Sequence, residues 1–198
     1  MSRIDGRILR SQKSQAIILE CFIKLINKGN YYPTADEVAK ESGIAIRTVF
    51  RQFADMETLL IKVDELINIE ILKDEKEIRS DIPLLARVES IINERIYFYN
   101  KYENIMIATI TQLPRYKILQ KKYPEYQKLL RERTENIIPE ILKLNDNNQK
   151  LLDAVLSFAF YQRLKFQGMD KINICNSLAG LCKTILKIWG SKDYEGWK

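Results

Sequence analysis

Two arginines on one short segment, Arg47 and Arg51, are the side chains best placed for recognition chemistry. They sit with Ala45, Ile46, Thr48 and Phe50 near the end of residues 34–53, TADEVAKESGIAIRTVFRQF. A guanidinium presents a planar fork of donors that can pair with a guanine edge or hold a phosphate oxygen. Covalent chemistry has far less to work with. The 198-residue chain contains no histidine, which removes imidazole acid–base catalysis, Ser-His and Cys-His nucleophile pairs, and most zinc or iron sites. Cys21, Cys175 and Cys182 are odd in number and lack C-x-x-C spacing. They read as buried reduced thiols rather than as a disulfide or redox site. The acidic run Asp74, Glu75 and Glu77 reads as a solvated helix face. With no nucleophile–base pair, phosphate loop or metal cluster in view, neither an enzyme nor a cofactor nor a metal is expected.

Two short helices must position the arginines. Thr34 can cap the first, its hydroxyl accepting from a free N–H of the opening turn, and Glu37 completes a Thr-x-x-Glu capping box. Asp36 and Glu37 also put negative charge at the positive end of the helix dipole. Val38 and Ala39 face inward, and Ala39 is small enough to let a second helix cross closely. Gly43 falls where a tight turn needs a left-handed residue, which would cost any other residue about 1–2 kcal/mol. Ile44 and Val49 hold the second helix, leaving Ala45, Ile46, Arg47, Thr48, Phe50 and Arg51 exposed. In a helix-turn-helix, the second helix enters the major groove and its N-terminal residues reach base edges. Any glycine-joined helix pair would look similar, so plain packing stays open on these residues alone.

Composition narrows the class. Hydrophobic residues make up 46% and charged residues 29%, as in ordinary globular chains that can bury a core. The longest apolar stretch, 154–161, is far short of the ~20 residues of a membrane span. Residues 1–13 lack the apolar core of a secretory signal, so a soluble cytoplasmic protein is expected. The net charge of +6 and pI near 9.1 favour polyanionic partners. Arg3, Arg7, Arg10 and Lys13 face only Asp5 in the N-terminal arm, which suits contact with phosphates or a minor groove, or a solvated terminus.

Apolar residues recur at three- and four-residue spacing nearly everywhere, so the chain reads as all-α. Helix one is predicted over 7–28 with Ile18, Leu19, Phe22, Leu25 and Ile26 as its stripe and Gly29 as its stop. A fourth helix is predicted from Met56, capped by Asp55, to about Ile78, and long enough to bridge into a second region. Further helices are predicted over about 84–102 after a start at Asp81-Ile82-Pro83, over 103–113, and from Pro124 to a break or kink at Pro139. Residues 145–148 read as a loop, followed by two long helices at 149–167 and 171–189.

With those elements laid out, residues 18–60, about a quarter of the chain, resemble the N-terminal domain of the TetR family of bacterial transcriptional regulators. The resemblance rests on Ile18-Leu19, Leu25-Ile26, Gly29, Tyr31, Thr34, Glu37-Val38-Ala39, Gly43-Ile44, Thr48-Val49-Phe50, Phe53, Glu57 and Leu59-Leu60, in that order. Three departures stand out. Phe50 replaces a usual tyrosine, Met56 a usual lysine, and Cys21 and Phe22 stand where small alanines are favoured. The first two remove backbone contacts to DNA. The resemblance implies a three-helix DNA-binding domain over 1–55 and a larger ligand-binding and dimerisation domain over 56–198. It also implies DNA contact by Thr34 and the exposed second-helix face. Ile46 and Arg47 are expected at base edges, Arg51 at a base or phosphate, and Thr48 and Phe50 against the backbone. Lys62 reads either as a phosphate contact or as a solvated helix charge.

For the second region the resemblance implies a homodimer joined by its last two helices, here through Leu151, Val155, Phe158, Leu178, Leu181 and Ile185, with Ile188 extending the stripe. Burial within one chain would use the same residues. A dimer would read a near-palindromic double-stranded operator and release it on binding a small-molecule effector. Tyr99, Tyr102, Met106, Thr109, Gln112 and Tyr161 are the candidate pocket, with ordinary core as the competing reading. The alternative function is an all-helical interaction or scaffold protein with a weakened head, which Phe50 and Met56 favour.

Overall fold

The computed structural model describes residues 6–74, 77–79 and 81–187, apart from the side chains of Arg7, Asn68, Leu72 and Asp74. Within them the chain is all-α, without a strand. The helices are α1 (Gly6–Asn27), α2 (Ala35–Ser42), α3 (Ile46–Gln52), α4 (Met56–Asp74), α5 (Leu84–Lys101), α6 (Glu103–Gln112), α7 (Lys117–Ile137), α8 (Asp146–Val155), α9 (Phe158–Phe166) and α10 (Lys171–Leu186). A 3₁₀ helix, Pro139–Lys143, follows α7. No helix among the described residues is long and apolar enough to cross a membrane. Arg3, Glu75, Ile188 and the end of the helix expected to reach Trp189 lie outside the described residues.

The helices fall into two compact units, Met1–Asp74 with Tyr102–Tyr123, and Glu75–Lys101 with Pro124–Lys198. The first therefore takes in α4 whole, together with α6 and the start of α7. Its core is drawn from six of these helices, with Ile18, Phe22 and Ile26 of α1 clustering with Val38, Val49, Leu59, Val63, Ala108 and Leu119. Phe22, placed where alanines were expected, is fully buried there. A buried ring of that size contributes about 1.5–3 kcal/mol. The end of α1 is closed by Gly29 at φ 91°, with Asn30 N–H donating to the Leu25 carbonyl at 3.1 Å and Gly29 N–H to that of Ile26 at 2.9 Å. That is the Schellman arrangement a left-handed glycine permits.

Polar contacts from α6 then hold the loop before α2. Asn104 Nδ2 donates to the Asn27 carbonyl at 3.1 Å, the Tyr31 hydroxyl to Asn104 Oδ1 at 3.0 Å, and Gln112 Nε2 to the Tyr31 carbonyl at 2.8 Å.

In the second unit α10 packs on α5 and α8. Ile91, Ile92 and Ile96 of α5 are buried with Leu152, Ile174 and Leu178. The break expected at Pro139 is present, since α7 ends at Ile137.

Four boundaries differ from expectation. Pro124 does not open a helix but lies inside α7. The helix starts earlier because Glu57 accepts the free Ile118 N–H at 2.8 Å, so a first turn exists before the proline is reached. Asn145 is a cap, its side chain accepting from Asn148 N–H at 2.9 Å, which turns the expected loop into the first turn of α8. The long helix over 149–167 is two helices. Ser157 caps the second through Phe160 N–H, and the Tyr99 hydroxyl takes the Leu156 carbonyl, so the interruption is satisfied by side chains. Finally, α4 ends at Asp74, and the described residues 77–79 are not helical.

Gly43 closes α2 at φ 67°, and a Cβ built there would meet nothing within 4 Å. The cost of replacing it is therefore backbone strain alone. Gly43→Ala is expected to lower stability by about 1–2 kcal/mol, read as a lower urea midpoint at unchanged m. An unchanged midpoint would mean that the left-handed turn is not retained in solution.

Candidate nucleic-acid interface

The helix pair that carries the two arginines is held from both ends. Thr34 caps α2 with extended backbone, φ −92° and ψ 160°. Its hydroxyl accepts from Glu37 N–H at 3.3 Å, while Glu37 Oε2 accepts the Thr34 N–H and hydroxyl, each at 2.8 Å. Asn30 Nδ2 adds a bond to the other oxygen at 3.1 Å. These donors, the Thr34 backbone N–H first, hold the Glu37 carboxyl below its ordinary range. Thr34 remains exposed while capping.

The far side of α2 is tied to α1 through charge. Lys24 and Lys28 reach Glu41 Oε1 at 2.7 and 2.9 Å. Their hydrogen bonds, that of Lys24 first, pull the Glu41 carboxyl down to about 2. The sign follows from linkage: a depressed carboxyl contributes stability that is full above its unfolded value, ~4.3, and lost as pH falls through about 2. A carboxyl NMR titration is expected to place Glu41 well below the other glutamates, and Lys24→Ala with Lys28→Ala to restore it to them. An ordinary value in the unaltered chain would rule the two-lysine clamp out. Solvent screening keeps its stability effect small.

On α3, Val49 and the following Phe53 point into the core at 3% exposure each, and Thr48 is half-buried. Ser11 Oγ donates to Gln52 Oε1 at 3.0 Å, fixing the end of α3 to α1. What is left is a solvent face of Ala45, Ile46, Arg47, Phe50 and Arg51. Phe50 is 49% exposed and Ile46 38%. Neither Arg47 nor Arg51 makes an ion pair among the described residues, so both guanidinium groups are free for an external anion. Arg10 and Lys13 of α1 are likewise exposed. Lys62, by contrast, pairs with Glu65 one turn on at 2.7 Å, as a solvated helix charge does. Met56 is half-buried against the core.

Sequence reasoning missed Glu41, Ser11 and Gln52 as supports. A Lys-x-x-x-Lys run at the end of helix one facing a lone glutamate was the available signal for Glu41. Nothing in spacing pointed to Ser11 and Gln52, which lie 41 residues apart.

The expected pocket residues are divided between the two units. Tyr99 and Tyr161 belong to the second unit and pack with Phe158, ring centroids 5.4 Å from Tyr99 to each. The Tyr99 hydroxyl donates to the Leu156 carbonyl and that of Tyr161 to Asn100 Oδ1 at 3.0 Å, so both are satisfied core groups. Tyr102, Met106, Thr109 and Gln112 lie in the first unit. Of these, Thr109 and Gln112 line a cavity of about 50 Å³ together with Phe22, Leu60, Asp64 and Ala108. That volume admits a water or two and is far below the ~300–1,000 Å³ of a typical ligand pocket.

The expected dimer stripe also divides. Val155, Phe158, Leu178 and Ile185 are buried within the second unit, because α5, α8 and α10 close over them, and only Leu151 and Leu181 remain exposed, at 51% and 38%. The cysteines are all free, and burial pushes the Cys182 thiol up to about 12, leaving it unreactive.

In comparison with known proteins, the chain matches no family model and no curated protein.

Proposed function

We propose that this chain is a DNA-binding transcriptional regulator of the TetR type. In this reading α2 and α3 form a helix-turn-helix, α3 enters the major groove, and a second unit pairs with its copy and takes a small-molecule effector. The observation that carries the reading is the solvent face of α3. Two unpaired arginines flank Ile46 and Phe50 on a short helix held by a capping box, a left-handed glycine and α1. Arg47 sits one position inside the helix start, where side chains reach base edges, and Arg51 one turn on.

As a homodimer the protein would set two such helices one helical turn apart, ~34–36 Å, on a near-palindromic operator. Leu151, Leu181, Phe166 and Ile172 are the exposed apolar groups of the last three helices and supply material for self-association. An effector would act only by binding the DNA-competent and incompetent states with different affinity.

Fluorescence anisotropy on DNA from upstream of the chain's own coding region tests the reading. Specific binding should fall steeply with salt as counterions are released. Equal affinity for that DNA and for scrambled duplex at every salt concentration would sink it.

A second reading draws on Ile46 and Phe50, which leave more apolar surface on α3 than phosphate contact requires. That surface would suit a protein partner instead of DNA. Indifference of DNA affinity to substitutions across residues 46–51 would select it.

A further inference from the structure

A chain of hydrogen bonds in the first unit links the helix pair to a cluster of cations outside it. Ser11 of α1 donates to Gln52, at the end of α3, at 3.0 Å. Just beyond, Asp55 caps α4 by accepting the Thr58 N–H at 2.7 Å and its hydroxyl at 2.8 Å. Glu57, in the first turn of α4, accepts the Ile118 N–H at 2.8 Å and so docks the first turn of α7. The end of α6 is fixed as well. Gln112 Nε2 donates to the Tyr31 carbonyl at 2.8 Å and the Tyr32 hydroxyl to the Thr111 carbonyl at 3.4 Å, in the loop that leads to Thr34.

The turn held between these anchors is basic. Residues 113–124, LPRYKILQKKYP, carry Arg115, Lys117, Lys121 and Lys122 and no carboxylate. Arg115, Lys117 and Lys121 are exposed, and none of the three makes an ion pair among the described residues. Lys117 opens α7, whose first turn has no acid of its own. A cation there opposes the helix dipole, so helix stability does not account for it. The Arg115 guanidinium lies over the Tyr116 ring, 5.4 Å from its centroid, a stacking that leaves its edge donors free. The acids at the start of α4 are engaged, Asp55 by Thr58 and Glu57 by Ile118. That start offers no cation, because Met56 is half-buried against the core.

We propose that Arg115, Lys117 and Lys121 form a second phosphate-binding site, holding the DNA backbone beside the contacts of α3. The partner rests on the regulator reading above. Along the same linked elements, Arg10 and Lys13 flank Ser11 and Arg51 precedes Gln52, all exposed, so the three extend a row of cations that already borders α3. Duplex DNA suits this row better than an acidic protein does. Lysine is depleted at protein interfaces, and no large apolar side chain is exposed between residues 113 and 121 to form an interface core. Phosphate contacts of this kind set the register of the reading helix and carry no sequence information themselves.

The test uses the full chain and two fluorescent duplexes, DNA from upstream of its own coding region and a scrambled sequence. The combined change Arg115→Gln, Lys117→Gln and Lys121→Gln should weaken both duplexes at least about tenfold and lower the salt slope by about 2–3 for each protomer bound. The affinity ratio between the duplexes should not move. The charge-retaining set Arg115→Lys, Lys117→Arg and Lys121→Arg should keep the parent slope. One further measurement needs no variant to fold: in the unaltered chain, DNA should protect Lys117 and Lys121 from acetylation while Lys143 and Lys150, exposed in the second unit, stay reactive.

An unchanged salt slope in the glutamine set, with DNA still bound, would overturn the proposal, leave the regulator reading intact and turn the patch over to an acidic protein. Unprotected Lys117 and Lys121 in the complex would overturn it equally. A charge-retaining set as weak as the glutamine set would do the same, since shape and not charge would then matter. A changed ratio between the duplexes would move the three side chains from phosphates to base edges and also overturn it. Equal binding of both duplexes by the parent, weakened by the glutamine set, would remove the sequence-specific regulator and keep the phosphate site. Absence of binding to either duplex would remove both.

Discussion

Arg87→Leu is expected to cost about 3 kcal/mol of stability, measured as a fall in urea midpoint with unchanged m. The reason begins at Pro139. A proline there cannot continue α7, so the Ile137 carbonyl is left at a helix end without an intrahelical donor. Arg87, 7% exposed, supplies one through Nη1 at 2.9 Å. The same guanidinium grips Glu140 with two bonds, at 2.9 and 2.6 Å, and the Ile82 carbonyl through Nε at 3.1 Å.

Leucine fills much of that volume but strands a carbonyl and a carboxylate together. Breaking a buried pair from one side costs about 3–5 kcal/mol, and the partial exposure of Glu140 argues for the low end. Arg87 holds the Glu140 carboxyl below its ordinary range. Its contribution is therefore present above the unfolded value, ~4.3, and lost as acidification passes the lower folded value. Arg87→Leu should flatten that acid limb. A cost under about 1 kcal/mol would show that the pair does not hold the 3₁₀ helix to α5.

Arg47→Ala is expected to remove about 1–3 kcal/mol of discrimination between operator and scrambled duplex, the worth of one good bidentate base contact. Arg51→Ala should behave differently if it holds a phosphate, weakening both duplexes alike and reducing the salt slope by about 1. Neither arginine has an ion-pair partner among the described residues, and both are exposed, so the fold should be indifferent to either change. Anisotropy titrations at several salt concentrations, with circular dichroism as the folding control, separate the two effects. Equal loss on both duplexes for Arg47→Ala would remove it from base reading and make it a second phosphate contact.

The local features were the legible ones. Thr34, Glu37, Gly43 and Asp55 act within a few residues of themselves, and each does what its type at that spacing predicts. The break at Pro139 and the stop at Gly29 belong to the same group, because backbone chemistry alone requires them. At Pro124 and at Leu156, where prediction failed, a distant partner had intervened. Pro124 lies within α7 because Glu57, 61 residues away from Ile118, starts the helix early. The helix over 149–167 splits where Tyr99, 57 residues from Leu156, accommodates the interrupted turn.

The candidate site divides along the same line. By itself the sequence determined an all-helical chain, a capped helix pair turning on Gly43, and, Thr48 excepted, which residues of the second helix would face outward, since a 3.6-residue period with Val49 and Phe53 inward leaves few choices. Only the tertiary structure decided how that pair is braced, through Glu41 to two lysines and Gln52 to Ser11. It also buried Tyr99, Tyr161 and four members of the apolar stripe of the last helices, while leaving Leu151 and Leu181 at the surface. A period tells that a side chain is buried, but not against what, because many apolar faces are interchangeable until one packing closes. Arg95 is the clearest case: nothing in its spacing marks it as a buried cation, and only the packing of α7, whose Leu130 carbonyl and Thr134 hydroxyl accept from Nη2, makes it one.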